Sequence, residues 1–167
     1  MDFQYLFELL CSGVVKGSIY ALIALGYTMV YGIIQLINFA HGEIYMIGAF
    51  VAFIVAGVAT LSGFSGFSVL ILAAVIAAIY SASYGFTLER IAYRPLRNAP
   101  RLSPLISAIG ASIFLMNYVQ IAQTPDFLPF PELVSDFDFM EPLSRYLSSV
   151  DLVILAVTTL TMIALTV

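Results

Sequence analysis

Between Ile44 and Leu88 the chain reads IYMIGAFVAFIVAGVATLSGFSGFSVLILAAVIAAIYSASYGFTL, without one charged residue. A helical crossing of a bilayer core about 30 Å thick takes about 20 mostly apolar residues. The stretch therefore predicts two crossings, and Leu61-Ser-Gly-Phe-Ser-Gly66, rich in glycine and serine, is the turn between them. Uncharged runs lie on both sides of it: Gly17 to Ala40, Leu102 to Pro125, and Leu152 to Val167. Together these runs predict an all-α integral membrane protein, a polytopic bundle of about five transmembrane segments. The segments fall at roughly 10–37, 44–61, 67–88, 103–123 and 150–167, within a single transmembrane domain spanning 1–167. Residues 1–8, with two acids and no basic residue before Lys16, read as a short amphipathic lead-in to a retained helix, since a signal peptide begins with a basic patch.

Composition agrees. The 167 residues are 62% apolar and 10% charged, where a soluble domain is about 45–50% apolar and about 25% charged. A chain this size cannot hide such an excess in a core and still cover its outside with polar groups. A soluble enzyme, a disordered segment, a disulfide scaffold and a nucleic-acid binder are all excluded. Net charge is −4 with six basic residues, which leaves no footprint for a phosphate backbone. The lone Cys11 offers neither an internal disulfide nor metal-ligand spacing, and no metal or cofactor is expected.

Basic loop residues set orientation. Arg90, Arg94, Arg97 and Arg101 are four of the six basic residues and stand in a segment, 89–102, that is expected to be a cytoplasmic loop. Topology is the default explanation for them; docking and lipid-headgroup contact are the others. The segment 124–150 carries Asp126, Glu132, Asp136, Asp138 and Glu141 against Arg145 alone, with Pro125, Pro129, Pro131 and Pro142 opposing a regular helix. It reads as an acidic, proline-rich extracytoplasmic loop, either a contact surface for a soluble partner or a solvated connector.

Small residues recur at four-residue spacing: Gly13 with Gly17, Ala73 with Ala77, Ala74 with Ala78, Ser81 with Gly85, and Ala108 with Ser112. In lipid such pairs let helices approach closely, so they point to a packed bundle. Lys16 reads as an anchor with its head in the interface, a place along a path being the lesser alternative. The one polar island between long apolar runs is Asn38-Phe-Ala-His-Gly-Glu43. Two readings stand for it. Asn38, His41, Gly42 and Glu43 form a broken helix along a substrate path, with Gly42 allowing an unwound turn; or they form a solvated turn at the membrane surface. Composition alone tilts toward the turn. With one histidine, the island has no zinc-site spacing. A nucleotide-binding G-x-x-x-x-G-K-[ST] loop is absent, as are a nucleophile beside a base and a chain of intramembrane carboxylates.

Two blocks carry a resemblance. Gly17-Ser-Ile-Tyr-Ala-Leu-Ile-Ala-Leu-Gly-Tyr-Thr-Met-Val-Tyr-Gly-Ile-Ile-Gln-Leu-Ile-Asn-Phe-Ala-His-Gly-Glu43, and Glu89-Arg-Ile-Ala-Tyr-Arg-Pro-Leu-Arg97 with Pro104-Leu-Ile-Ser-Ala-Ile-Gly-Ala-Ser112 behind it, resemble the first permease of branched-chain amino acid ABC importers. The resemblance covers most of residues 10–125. It implies half of an ABC importer permease fold, and a multi-pass protein of the bacterial cytoplasmic (inner) membrane that is not an enzyme. The implied partners are a second permease subunit, two cytoplasmic ATPase subunits and a periplasmic substrate-binding protein, with membrane lipid as solvent. It also brings Asn38–Glu43 beside the bundle centre, which favours the path reading. Members serve branched-chain amino acids, urea or short amides, and are about twice this length, so an N-terminal half is expected. The competing classes are a stand-alone channel or secondary carrier, and a structural membrane fragment with no path of its own.

Overall fold

The computed structural model describes residues 3–35, 37–64, 66–100, 102–126, 128–131, 133 and 148–166. Among these it is helical: α1 Phe3–Ile34, α2 His41–Leu61, α3 Phe67–Leu88, α4 Leu102–Ala122 and α5 Ser149–Thr166. Four helices are long and apolar enough to cross a membrane, and α5 is a shorter apolar helix. The chain divides into two compact units, Met1–Thr28 with Val134–Val167, and Met29–Leu133.

In the first unit, the helix already covers the expected lead-in, since α1 runs unbroken from Phe3. Nothing in Phe3–Glu8 breaks a helix, and the acidic Glu8 is simply carried on it. Ser148 starts α5 through a reciprocal cap: its N–H donates to Asp151 Oδ2 (3.0 Å), while its own Oγ accepts from the Val150 N–H (3.4 Å). The expected residues Arg101, Glu132, Asp136, Asp138, Glu141, Pro142 and Arg145 lie outside the described residues.

The second unit is built on the antiparallel pair α2 and α3. The Gly/Ser turn between them closes as anticipated. Phe64 N–H donates to Ala59 O (3.0 Å) and Gly63 N–H to Thr60 O (3.1 Å), with Gly63 at φ 81°. This is the six-to-one, five-to-two closure that glycine permits at a helix end. Gly66 opens α3, also at positive φ.

Past Leu88 the chain does not become a loop. The helix continues as a π-turn, Glu89–Tyr93, and a 3₁₀ turn, Arg94–Leu96. Pro95 has no N–H and its ring would strike the carbonyl four residues back in an α-helix, so the hydrogen-bond ladder changes spacing without ending. Ser107 Oγ on α4 donates to the Ala92 carbonyl in this stretch (3.2 Å).

Ala40, Ile47, Leu115 and Val119 form the buried core where α2 meets α4. Most other large apolar side chains face outward; Leu61 is 90% and Ile121 86% exposed. In water that surface would be untenable, and in lipid it is the ordinary outside of a helix. Hydroxyls on these surfaces are satisfied within their own helix: Ser83, Thr87, Thr159 and Thr161 each donate to the carbonyl four residues back.

Candidate functional site

Three serines break that habit, and they mark where helices are joined. Ser107 reaches Ala92 as described. Ser81 on α3 donates to the Ile44 carbonyl of α2 (3.4 Å), and Ser112 on α4 donates to Glu43 Oε1 on α2 (2.5 Å). Ser112 stands at the midpoint of α4, so Glu43 sits level with the middle of that helix and not with its end.

The chain reaches Glu43 through a non-helical stretch. After α1, Gln35 takes φ 55° while its N–H donates to Tyr31 O (2.8 Å). A left-handed non-glycine residue costs about 1–2 kcal/mol, so this is where the backbone is bent. Gly42 is not: it lies in the first turn of α2, and the expectation that it unwinds the chain is corrected. Asn38 then organises the restart. Its Oδ1 accepts from the Ala40 N–H (3.1 Å), its carbonyl accepts from the His41 N–H (3.1 Å), and Ala40 is fully buried. This is an asparagine turn closing on its own backbone two residues on.

The same Asn38 Oδ1 accepts the Tyr93 hydroxyl at 2.6 Å. Tyr93 is buried and belongs to the π-turn. The polar island and the arginine-bearing segment, which sequence reading treated separately, are therefore one site. Asn38 meets Tyr93, and Glu43 meets Ser112. His41, half-buried, heads α2 between these two contacts.

The remaining expected residues sort by neighbour. Ser81 and Gly85 face α2: a Cβ at Gly85 would stand 3.8 Å from Ile44 Cδ1. Opposite Ser81 is Gly48, where a Cβ would fall 2.5 Å from Ser81 Oγ. A Cβ at Gly13 or Gly17 would meet no atom within 4 Å among the described residues, so those faces of α1 are open. Arg90 lies 6.0 Å from the Phe86 ring centroid, Arg97 pairs with Glu89 at 3.2 Å on an exposed surface, and Arg94 is exposed. Arg101 lies outside the described residues. Among the described residues no group of three or more His, Cys, Asp or Glu side chains could hold a metal.

Sequence reading missed Tyr93, Ser112 as a hydrogen-bond donor, Gly48, and a tyrosine group. Tyr80 and Tyr84 have ring centroids 6.1 Å apart, and with Tyr118 they line a cavity of about 330 Å³ between α2, α3 and α4. The four-residue spacing of Tyr80 and Tyr84 was a visible signal; Tyr118 and Tyr93 had none. A larger cavity, about 450 Å³, opens between α2, the C-terminal part of α4 and the chain beyond it, lined among others by Met46, Phe50, Phe53, Val119 and Asp126.

The family model described as branched-chain amino acid transport system / permease component matches residues 9–167. The chain is 47% identical to the high-affinity branched-chain amino acid transport system permease protein LivH of Salmonella typhimurium, over 99% of this chain and 55% of that protein. It is 46% identical to LivH of Escherichia coli over the same shares, and 46% identical to BraD of Pseudomonas aeruginosa over 98% of this chain and 54% of that protein. The chain thus spans about half the length of the curated relatives it matches. No solved structure matches it.

Proposed function

This chain belongs to the branched-chain amino acid transport system permease family, and from that premise we propose that it is part of a transmembrane permease for branched-chain or related aliphatic amino acids. The protein sits in the bacterial cytoplasmic membrane and makes no covalent change to its cargo. Energy comes from two ATPase subunits on the cytoplasmic side, a second permease subunit completes the path, and a periplasmic binding protein delivers the amino acid. The arginine-bearing end, Arg90 to Arg97, faces the cytoplasm, following the rule for basic residues.

Asn38, His41, Gly42 and Glu43 line the path, where the break after Gln35 leads into the first turn of α2 within the membrane. The observation that carries this reading is the bond from Ser112, at the midpoint of α4, to Glu43. A surface turn would meet the end of a neighbouring spanning helix. An ionisable group at such depth is costly, and where one persists it faces a cavity or a partner.

Two tests apply. Leucine uptake by the transporter that contains this chain should require ATP and a soluble binding protein; uptake driven by an ion gradient with no ATPase present would reject the functional reading. Cysteines placed at residues 38–43 should react with aqueous probes in one transport state and be shielded in another. Constant labelling from the cytoplasmic side would make the segment a surface turn.

A further inference from the structure

We propose that the cavity of about 450 Å³ between α2 and α4 is a transit site for an aliphatic α-amino acid: its walls take the side chain, and Asp126 at its edge takes the ammonium group. The proposal rests on the transport reading above and adds where cargo is recognised by its shape.

Position comes first. Met46 lies one helical turn beyond Glu43 on α2, and Val119 two turns beyond Ser112 on α4. The cavity therefore begins next to the Glu43–Ser112 contact and extends away from the arginine-bearing end. Its volume falls within the range of about 300–1,000 Å³ typical of small-molecule sites.

Chemistry comes second. Phe50 and Phe53 of α2, with Met46 and Val119, make walls that offer an isobutyl group nothing but apolar surface. The polar groups are few and lie at one end: Gln120, Thr124 and Asp126. Thr124 Oγ1 donates to Asp126 Oδ2 (3.1 Å) and accepts from the Asp126 N–H (3.1 Å), which fixes the carboxylate at the edge of the cavity. An anionic acceptor and a carboxamide at one end of an apolar chamber match the ammonium, carboxylate and hydrocarbon of a zwitterionic aliphatic amino acid. A phospholipid acyl chain would use the apolar walls and neither Gln120 nor Asp126.

The test uses the membrane-embedded transporter containing this chain in a Cys11→Ser background. With Ala49→Cys in the cavity wall, a water-soluble methanethiosulfonate reagent is applied with leucine or with glycine. Leucine should slow modification about tenfold relative to glycine, the discrimination that apolar walls give for added methylenes. Gln120→Cys repeats the measurement from α4 if the first variant does not assemble. In a second arm, Ala49→Phe narrows the chamber and should lower leucine uptake about tenfold relative to alanine uptake. Labelling that leucine and glycine slow equally, or that neither changes, overturns the proposal and identifies a lipid-filled or protein-packed groove; ATP-dependent leucine uptake in the same membranes would leave the transport reading standing. Protection by leucine without ATP-dependent uptake supports the cavity and removes the transport reading.

Discussion

Two interruptions divide the apolar helices of the second unit, and they are held in different ways. The turn Leu61–Gly66 closes on itself: its donors go to carbonyls a few residues back, and glycine supplies the left-handed backbone. The break ahead of α2 also closes locally, through Asn38 to Ala40 and His41, but it is completed from elsewhere. Its two side-chain anchors come from Tyr93 and Ser112, on segments distant in sequence. A self-closed turn can only join helices. A break whose polar groups are satisfied by other elements changes when those elements move, and that is the physical requirement for a gate.

Ser112→Ala should have the largest effect, because it leaves Glu43 without the hydroxyl that meets it. Glu43 is half-buried, so the cost should fall toward the lower end of the about 1–3 kcal/mol that an orphaned buried group carries. It should appear as a lowered unfolding midpoint in detergent and as a loss of transport per folded molecule. Gly63→Ala, forcing a side chain into a left-handed conformation, should cost about 1–2 kcal/mol and leave transport per folded molecule unchanged. If Gly63→Ala reduces transport as Ser112→Ala does, the contrast between the two interruptions collapses. Tyr93→Phe removes one hydrogen bond to Asn38 and should cost about 0.5–1.5 kcal/mol. It sharpens the comparison through a double-mutant cycle with Asn38→Ala, where additivity within error would mean the contact carries no coupling. The smallest effect belongs to Ser62→Ala, whose exposed hydroxyl bonds Val58 O at 2.9 Å; within about 0.5 kcal/mol of the parent is expected for such a surface change.

The same contrast explains what could be read in advance. Charge-free runs between polar islands marked α2 to α5 nearly to the residue, because a membrane demands uninterrupted apolar length. The Gly/Ser turn was legible because its chemistry is local. Extending α3 through Glu89–Leu96 was not: proline and arginines argued for a loop, and the π-turn that accommodates Pro95 has no composition of its own. Asn38, His41 and Glu43 stood out as polar groups in an apolar setting. Their partners did not, since a serine that caps its own helix and one that bridges two look alike until the helices are placed. Gly48 was overlooked for a related reason: its role is defined by Ser81 across the interface.

The continuous rod from Phe67 to Leu96 is 30 residues long, which at about 1.5 Å per residue comes to about 45 Å, against an oil layer of about 30 Å. A strut that outreaches its medium must lean or protrude. On the proposed orientation its last turns, with Arg90, Arg94 and Arg97, would come to rest among phosphates, where each guanidinium near an anionic surface gains about 1 kcal/mol. Bilayer thickness and headgroup charge would then bear on the same few turns that hold Tyr93 against Asn38, and the surrounding fat would tune that contact.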